Sequence, residues 1–299
     1  MKTKISRLRP ANLLIITITQ LFFYYIVILP FFRGFSGSII PHFHILLIIF
    51  ITLIVTVGGY IINDIRDHKI DKVNKPNKAL SNITQWTLVY KLLFIVGLIA
   101  VIWLSSLYHH PFFLAIFLLA WSALYLYSST WKCKPLIGNL VVSFFSGAVI
   151  LVLLGPFFTA LLSHSPQNLD NLIRPLFYYF VFAFFTSLIR EIVKDMEDVE
   201  GDESCGCQTL AVSAGIARTR FFTMILIITF LGFFGLWQFI YAADYPLFAI
   251  VFLNAFVTLP FIYCINSLQK ARISHDFTRI SNHIKIIMLL GVLFLVFEM

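Results

Sequence analysis

Nine apolar runs separated by polar stretches organise this 299-residue chain. They lie at 12–32, 44–62, 87–107, 111–127, 139–162, 173–193, 219–241, 247–268 and 283–298. As an α-helix rises about 1.5 Å per residue, some 20 apolar residues match the roughly 30 Å hydrocarbon core of a bilayer. Most of the runs reach that length, and the fourth and ninth fall short of it. Lipid supplies no hydrogen bonds to an open backbone, so runs of this kind form helices. Pro10, Pro111 and Pro246 stand near run starts, where a missing N–H costs nothing. The longest polar stretch is a loop of about two dozen residues, too little for a soluble domain. The pattern predicts an all-α polytopic membrane protein with about nine transmembrane helices, forming one domain over 1–299.

Composition agrees with a lipid solvent. Hydrophobic residues make up 60% of the chain and charged residues 12%, against about a quarter charged in soluble domains. The basic start, MKTKISRLRP, has no small-residue cleavage site, so it reads as a cytosolic tail before a retained helix. Alternating through nine spans from a cytosolic N-terminus puts 20 of the 22 Lys and Arg on the cytosolic side and leaves only Arg33 and Arg174 opposite. Such asymmetry is the positive-inside rule, and a miscounted helix would scramble it. The expected location is a membrane, the cell membrane in a bacterium or archaeon, with the N-terminus and active-site cap cytosolic. The four Cys (133, 205, 207 and 264) show no obvious disulfide framework. Cys205-Gly206-Cys207 lacks the further ligands of a metal clip.

Charge becomes informative where it clusters. Ten of the 14 acidic residues fall within 64–71 and 191–203. Each segment holds the spacing D-x2-D-x3-D, as Asp64/Asp67/Asp71 and Asp195/Asp198/Asp202. Offsets of three and seven place three carboxylates on one helical face. Both segments begin where an apolar run ends, on the side assigned to the cytosol. Carboxylate sets suit hard divalent cations. Magnesium takes one or two carboxylates together with substrate phosphates, and can neutralise a leaving diphosphate.

A solvated helix end would explain one such triplet. Two copies are harder to dismiss, since two prescribed Asp partners recur by chance roughly once in a thousand. Like charges at this spacing also repel unless a cation answers them. Cations surround the acids: Arg66, Lys69, Lys72, Lys75 and Lys78 near the first set, Arg190 and Lys194 at the second, and Lys132 and Lys134 in another loop. Arg190 and Lys194, flanking Asp195 at helical spacing, are the foremost candidates for holding diphosphate oxygens. An ion or metabolite transporter would place its ionisable groups near the bilayer midplane. Here the middles of the runs carry almost no charge.

These residues carry a family likeness. GGYIINDIRDHKIDKVNKP resembles the first signature, NDxxDxxxD, of the UbiA superfamily of intramembrane prenyltransferases, through Asn63, Asp64, Asp67 and Asp71. Asp198 and Asp202 resemble that superfamily's DxxxD pair, with Asp195 just before. Arg9-Pro10-Ala11-Asn12 is similar to its opening into the first helix. Tyr125-Leu126-Tyr127 through Lys132 to Gly138-Asn139 resembles its tyrosine–lysine segment and the start of the next helix. The resemblance implies nine helices around a central cavity, Mg2+ as cofactor, and a prenyl diphosphate ionising to an allylic cation that a lipophilic acceptor captures. It further implies metal ligation by the six aspartates, catalytic roles for Asp64, Asp67, Asp71, Asp198 and Asp202, and Tyr127 facing the cation or acceptor. Asn12, Asn63, Lys132, Arg190 and Lys194 become substrate-binding residues. Partners are then prenyl diphosphate, acceptor and membrane lipid, with no nucleic acid. The 33 Phe and 12 Tyr suit a dry tunnel for a prenyl chain, although most must simply face lipid or other helices. REIVKDMEDVEGD, followed by Thr209-Leu210, most resembles the branch that adds geranylgeranyl groups to geranylgeranylglyceryl phosphate. It is less similar to the branch that prenylates 4-hydroxybenzoate, the alternative acceptor class.

Overall fold

The computed structural model describes residues 8–33, 40–68, 80, 82–158, 161 and 169–298. Every regular element among them is helical. Eight helices are long and apolar enough to span a bilayer: α1 (Pro10–Phe32), α2 (His42–Arg66), α3 (Ile83–Leu107), α4 (Phe112–Trp131), α6 (Asp170–Glu197), α9 (Ile216–Asp244), α10 (Leu247–Lys270) and α11 (Ser274–Phe297). Among the described residues a bent pair, α5 (Ile137–Ala148) with the 3₁₀ segment Leu151–Phe157, turns by 42° and brings the number to nine when counted as one span. Two short helices, α7 (Val199–Ser204) and α8 (Leu210–Ala214), follow α6. Contacts gather these elements into two compact units, one of residues 1–131 and 148–176, the other of 132–147 and 177–299.

In the first unit α2 is the pivot, packing on α1, α3 and α4. Gly58 makes the α2–α4 approach feasible, because a Cβ there would lie 2.6 Å from the Trp121 ring. Small residues serve this purpose where lipid gives no hydrophobic push between helices. The other face of α3 exposes Leu88, Leu92, Ile95, Ile99 and Ile102, a stripe at helical spacing that only an apolar solvent tolerates. In α1 the helix widens to π geometry over Phe23–Ile28, just before Pro30. The same widening, over Asn254–Thr258, precedes Pro260 in α10. Proline cannot bond its i−4 carbonyl and crowds it, and a wider turn relieves both problems.

The apolar run at 139–162 contains a break. The α-helical part covers only 12 residues, and Gly155-Pro156 cannot extend it. A break at membrane depth frees carbonyls that must be bonded internally. Gln20, fully buried on α1, donates through Nε2 to the Val149 carbonyl at 2.8 Å and to Thr52 Oγ1 at 3.1 Å. His110 Nε2 lies 3.0 Å from the Gly155 carbonyl.

The second unit packs α6 from Phe177 onward with α9, α10 and α11 around an aromatic core. Tyr178 stacks on Trp237 at 4.3 Å between ring centroids, and Phe182, Phe230, Phe234 and Phe261 continue the column. Much of the phenylalanine excess is therefore packing. Gly291 on α11 faces the Phe182 ring and leaves no room for a Cβ. The ninth run extends back to Ser274 because Phe277, Ile280, Ile284 and Ile287 form a buried stripe behind its polar first turns. Asp276 accepts from the Arg272 and Ile273 backbone N–H groups at 2.9 and 3.2 Å, satisfying donors that α11 leaves open. Ser274 Oγ donates to the Glu197 carbonyl at 2.9 Å, tying this helix start to the end of α6.

Candidate active site

The first aspartate set grows out of the last turns of α2. Asp64 and Tyr60 stand one turn apart, and both meet the entry into α1. The Arg9 guanidinium lies 4.5 Å from the Tyr60 ring centre, with Nη2 3.9 Å from Asp64 Oδ1. Asn12 Nδ2 donates to the Tyr60 hydroxyl at 3.1 Å. Arg9 adopts a left-handed backbone, φ 49° and ψ 58°, which costs a non-glycine residue about 1 kcal/mol or more. Its cation–π and ionic contacts offset that strain.

Beside this cluster, Asn63 Nδ2 donates to Asp67 Oδ2 at 2.7 Å. The amide's other end, Oδ1, is buried without a hydrogen-bond partner. A buried carbonyl oxygen left over from such a pair is placed to accept from a ligand donor or to join a cation's oxygen shell. Arg66 Nη2 donates to the Tyr125 hydroxyl at 2.8 Å, and its guanidinium sits 5.3 Å from that ring. Tyr127 is half-buried and opens the π-helical turn Tyr127–Trp131, which packs on α2. Asp71, Lys69, Lys72, Lys75 and Lys78 lie outside the described residues.

The second set departs from the one-face expectation. α6 ends at Glu197, Asp198 occupies a bend with φ −100° and ψ 10°, and Asp202 belongs to α7. The triplet therefore straddles a helix break. Its backbone still bridges the bend, since Asp198 N–H donates to the Lys194 carbonyl and Asp202 N–H to the Asp198 carbonyl. Asn139, 7% exposed at the start of α5, donates through Nδ2 to Asp195 Oδ2 at 2.8 Å. One turn earlier, Glu191 accepts from Arg190 Nη1 at 2.6 Å and Lys194 Nζ at 3.0 Å. The two candidate diphosphate anchors are thus held by an acid that spacing alone did not single out.

Cysteine pairing overturns the sequence expectation as well. Cys133 and Cys207 form a disulfide, 74 residues apart in sequence. Gln208 N–H donates to the Cys133 carbonyl at 3.1 Å, and Cys207 N–H to the Asp202 carbonyl at 2.9 Å. The half-buried Lys132 precedes this staple. Among the described residues no three His, Cys, Asp or Glu side chains converge into a ready-made metal cage. Magnesium, which keeps waters and phosphates in its shell, needs no such cage.

Helices long and apolar enough to span a bilayer, with asparagine-tethered carboxylates at their ends, define an integral membrane protein. Residues 13–283 match the UbiA prenyltransferase family. The chain belongs to that family and is a membrane prenyltransferase. It is 34% identical to the digeranylgeranylglyceryl phosphate synthase of Sulfurisphaera tokodaii over 76% of this chain and 79% of that one. To the enzyme of the same name from Methanoculleus marisnigri it is 30% identical, over 72% and 69%. A solved structure of a digeranylgeranylglyceryl phosphate synthase superposes with TM-score 0.66 and 25% identity, covering 99% of this chain and 98% of that one. The apo structure of a UbiA homologue from Aeropyrum pernix shares the fold, with TM-score 0.66 and 15% identity over 93% and 96%.

Proposed function

We propose that this prenyltransferase, acting as a single domain over 1–299, moves a geranylgeranyl group from geranylgeranyl diphosphate to the free hydroxyl of geranylgeranylglyceryl phosphate. The relatives named for that product and the second acidic segment support the acceptor. The observation that carries the chemistry is the Asn63–Asp67 pair, with the buried Asn63 Oδ1 left to accept. Its donor set, all oxygen, fits Mg2+ rather than a softer metal. Asp64, Asp67 and Asp71 would hold magnesium, as would Asp195, Asp198 and Asp202. When bound, the metal neutralises charge growing on the departing diphosphate.

The protein's own residues do the rest. Asn63 orients Asp67, and Asn139 orients Asp195. Lys132, Arg190 and Lys194 bind diphosphate oxygens, with Glu191 setting where the last two point. Asn12 binds substrate through the entry cluster, and Tyr127 faces the allylic carbon. The C1–O bond of the diphosphate breaks, the acceptor oxygen bonds to C1, and the hydroxyl proton passes to an acceptor oxygen in the site. Enclosure by apolar helices keeps water from capturing the cation. The N-terminus and both aspartate sets face the cytosol, as the asymmetry of Lys and Arg supports.

Purified protein in lipid nanodiscs, given geranylgeranyl diphosphate, magnesium and a panel of acceptors, tests this by mass spectrometry. Geranylgeranylglyceryl phosphate should gain one geranylgeranyl mass. Exclusive prenylation of 4-hydroxybenzoate, homogentisate or dihydroxynaphthoate would overturn the acceptor assignment.

A further inference from the structure

Three of the four cysteines crowd one corner of the second unit. Cys207 is 4% exposed and bonded to the half-buried Cys133. Cys205 is a free, exposed thiol only two residues from Cys207. Between them Gly206 turns with φ +74° and has nothing near its Cβ position, so the pivot is uncrowded. Ser204 Oγ, which donates to the Gly201 carbonyl at 2.8 Å, lies 3.6 Å from Cys205 Sγ. Lys132 and Lys134 flank Cys133 in sequence. An exposed thiol two residues from a covered disulfide has the layout of an exchange relay.

We propose that Cys133, Cys205 and Cys207 form a thiol–disulfide exchange site, loaded through Cys205 by small disulfides and unloaded by dithiols, that pins or releases the Lys132 loop. In the reduced protein the Cys205 thiolate attacks a small disulfide, RSSR, giving Cys205–S–SR and releasing RS⁻. The Cys133 thiolate then attacks Cys205 Sγ and expels the second RS⁻. Finally the Cys207 thiolate attacks Cys133 Sγ, leaving Cys133–Cys207 and returning Cys205 as a thiolate. Two electrons have passed from the Cys133–Cys207 dithiol to RSSR. A dithiol reverses the sum, restoring both thiols while becoming a cyclic disulfide itself.

The bond matters because of what it holds. It fastens the segment carrying Lys132 to the turn whose Cys207 N–H donates to the Asp202 carbonyl. The Gln208-to-Cys133 backbone bond joins the same segments. Lys132 and Asp202 both belong to the machinery assigned above, so the consequence for catalysis rests on that reading. Exchange with small thiols and disulfides would make such a bond reversible rather than permanent.

The test uses the full chain in nanodiscs, reduced with dithiothreitol and reoxidised with oxidised glutathione. Thiol trapping and peptide mass mapping follow the bond, and diphosphate release follows the reaction. In the wild type the Cys133–Cys207 peptide should return, and in Cys205→Ser it should return about tenfold more slowly to the same end point. Reduction should raise KM for geranylgeranyl diphosphate about fivefold, the weight of one ordinary hydrogen bond. Cys133→Ser should show that raised KM in either redox state. Unchanged reoxidation in Cys205→Ser, or three free thiols after oxidation, overturns the relay whatever the activity. A bond that forms as described while KM ignores it overturns the regulatory half alone.

Discussion

Replacing Asn139 with alanine removes one hydrogen bond, and its energetic weight follows from where that bond sits. The amide nitrogen lies 2.8 Å from Asp195 Oδ2, and the asparagine is 7% exposed. A hydrogen bond to a charged acceptor in such surroundings contributes about 1.5–3 kcal/mol. If Asp195 holds magnesium, the amide fixes the carboxylate before the metal arrives. Losing such an outer partner costs about 10- to 100-fold in metal affinity or activity, and the hydrogen-bond figure converts to the same range. Diphosphate release measured against magnesium concentration should therefore show Asn139→Ala needing at least about tenfold more magnesium for half-maximal rate. High magnesium should restore much of the rate, as it could not if the fold had been lost. The reasoning is refuted if Asn139→Ala keeps the wild-type magnesium dependence while Asp195→Ala abolishes turnover.

Other expectations follow from the same structure. Gln20→Leu leaves the Val149 carbonyl unbonded beside a helix break and should cost about 1–3 kcal/mol, read as a lower Tm in detergent; an unchanged Tm would show that the break is satisfied otherwise. Tyr60→Phe removes only the hydroxyl that Asn12 reaches, keeping the ring under Arg9, and should cost about 0.5–1.5 kcal/mol. The loss should read as a lower Tm in detergent, and an unchanged Tm would argue against the docked entry. Glu191→Gln uncovers the charges of Arg190 and Lys194 and should destabilise by about 1–3 kcal/mol. Its KM for geranylgeranyl diphosphate should rise, because Glu191 sets where those cations point; an unchanged or lower KM would mean that the carboxylate only competes with the diphosphate.

Much of the fold was legible because lipid imposes a simple rule on the backbone. Length and apolarity alone located the crossings, and the two aspartate segments fell at helix ends as the run boundaries implied. The bend in the fifth crossing was not legible because Gly155-Pro156 sits inside an otherwise apolar stretch, and apolarity does not report a bend. Gln20, a lone amide within the first run, was the available sign that some carbonyl nearby needed a donor. The second triplet was assigned to one face by spacing, yet the helix stops at Glu197 before the motif is complete. Cys133 and Cys207 were not paired because 74 residues of chain separate them, and spacing encodes only local geometry. Glu191 and Asn139 escaped for related reasons: one reads as another acid in an acid-rich segment, the other as a helix start. Asn139's partner is visible only once α5 and α6 are packed.

The central claim is that the two aspartate sets carry prenyl transfer, and diphosphate release by single-residue variants tests it most directly. With geranylgeranyl diphosphate, magnesium and geranylgeranylglyceryl phosphate supplied, Asp67→Ala and Asp198→Ala should each lose at least about a hundredfold in rate while keeping the wild-type Tm within a few degrees. Full diphosphate release from either folded variant would contradict the account.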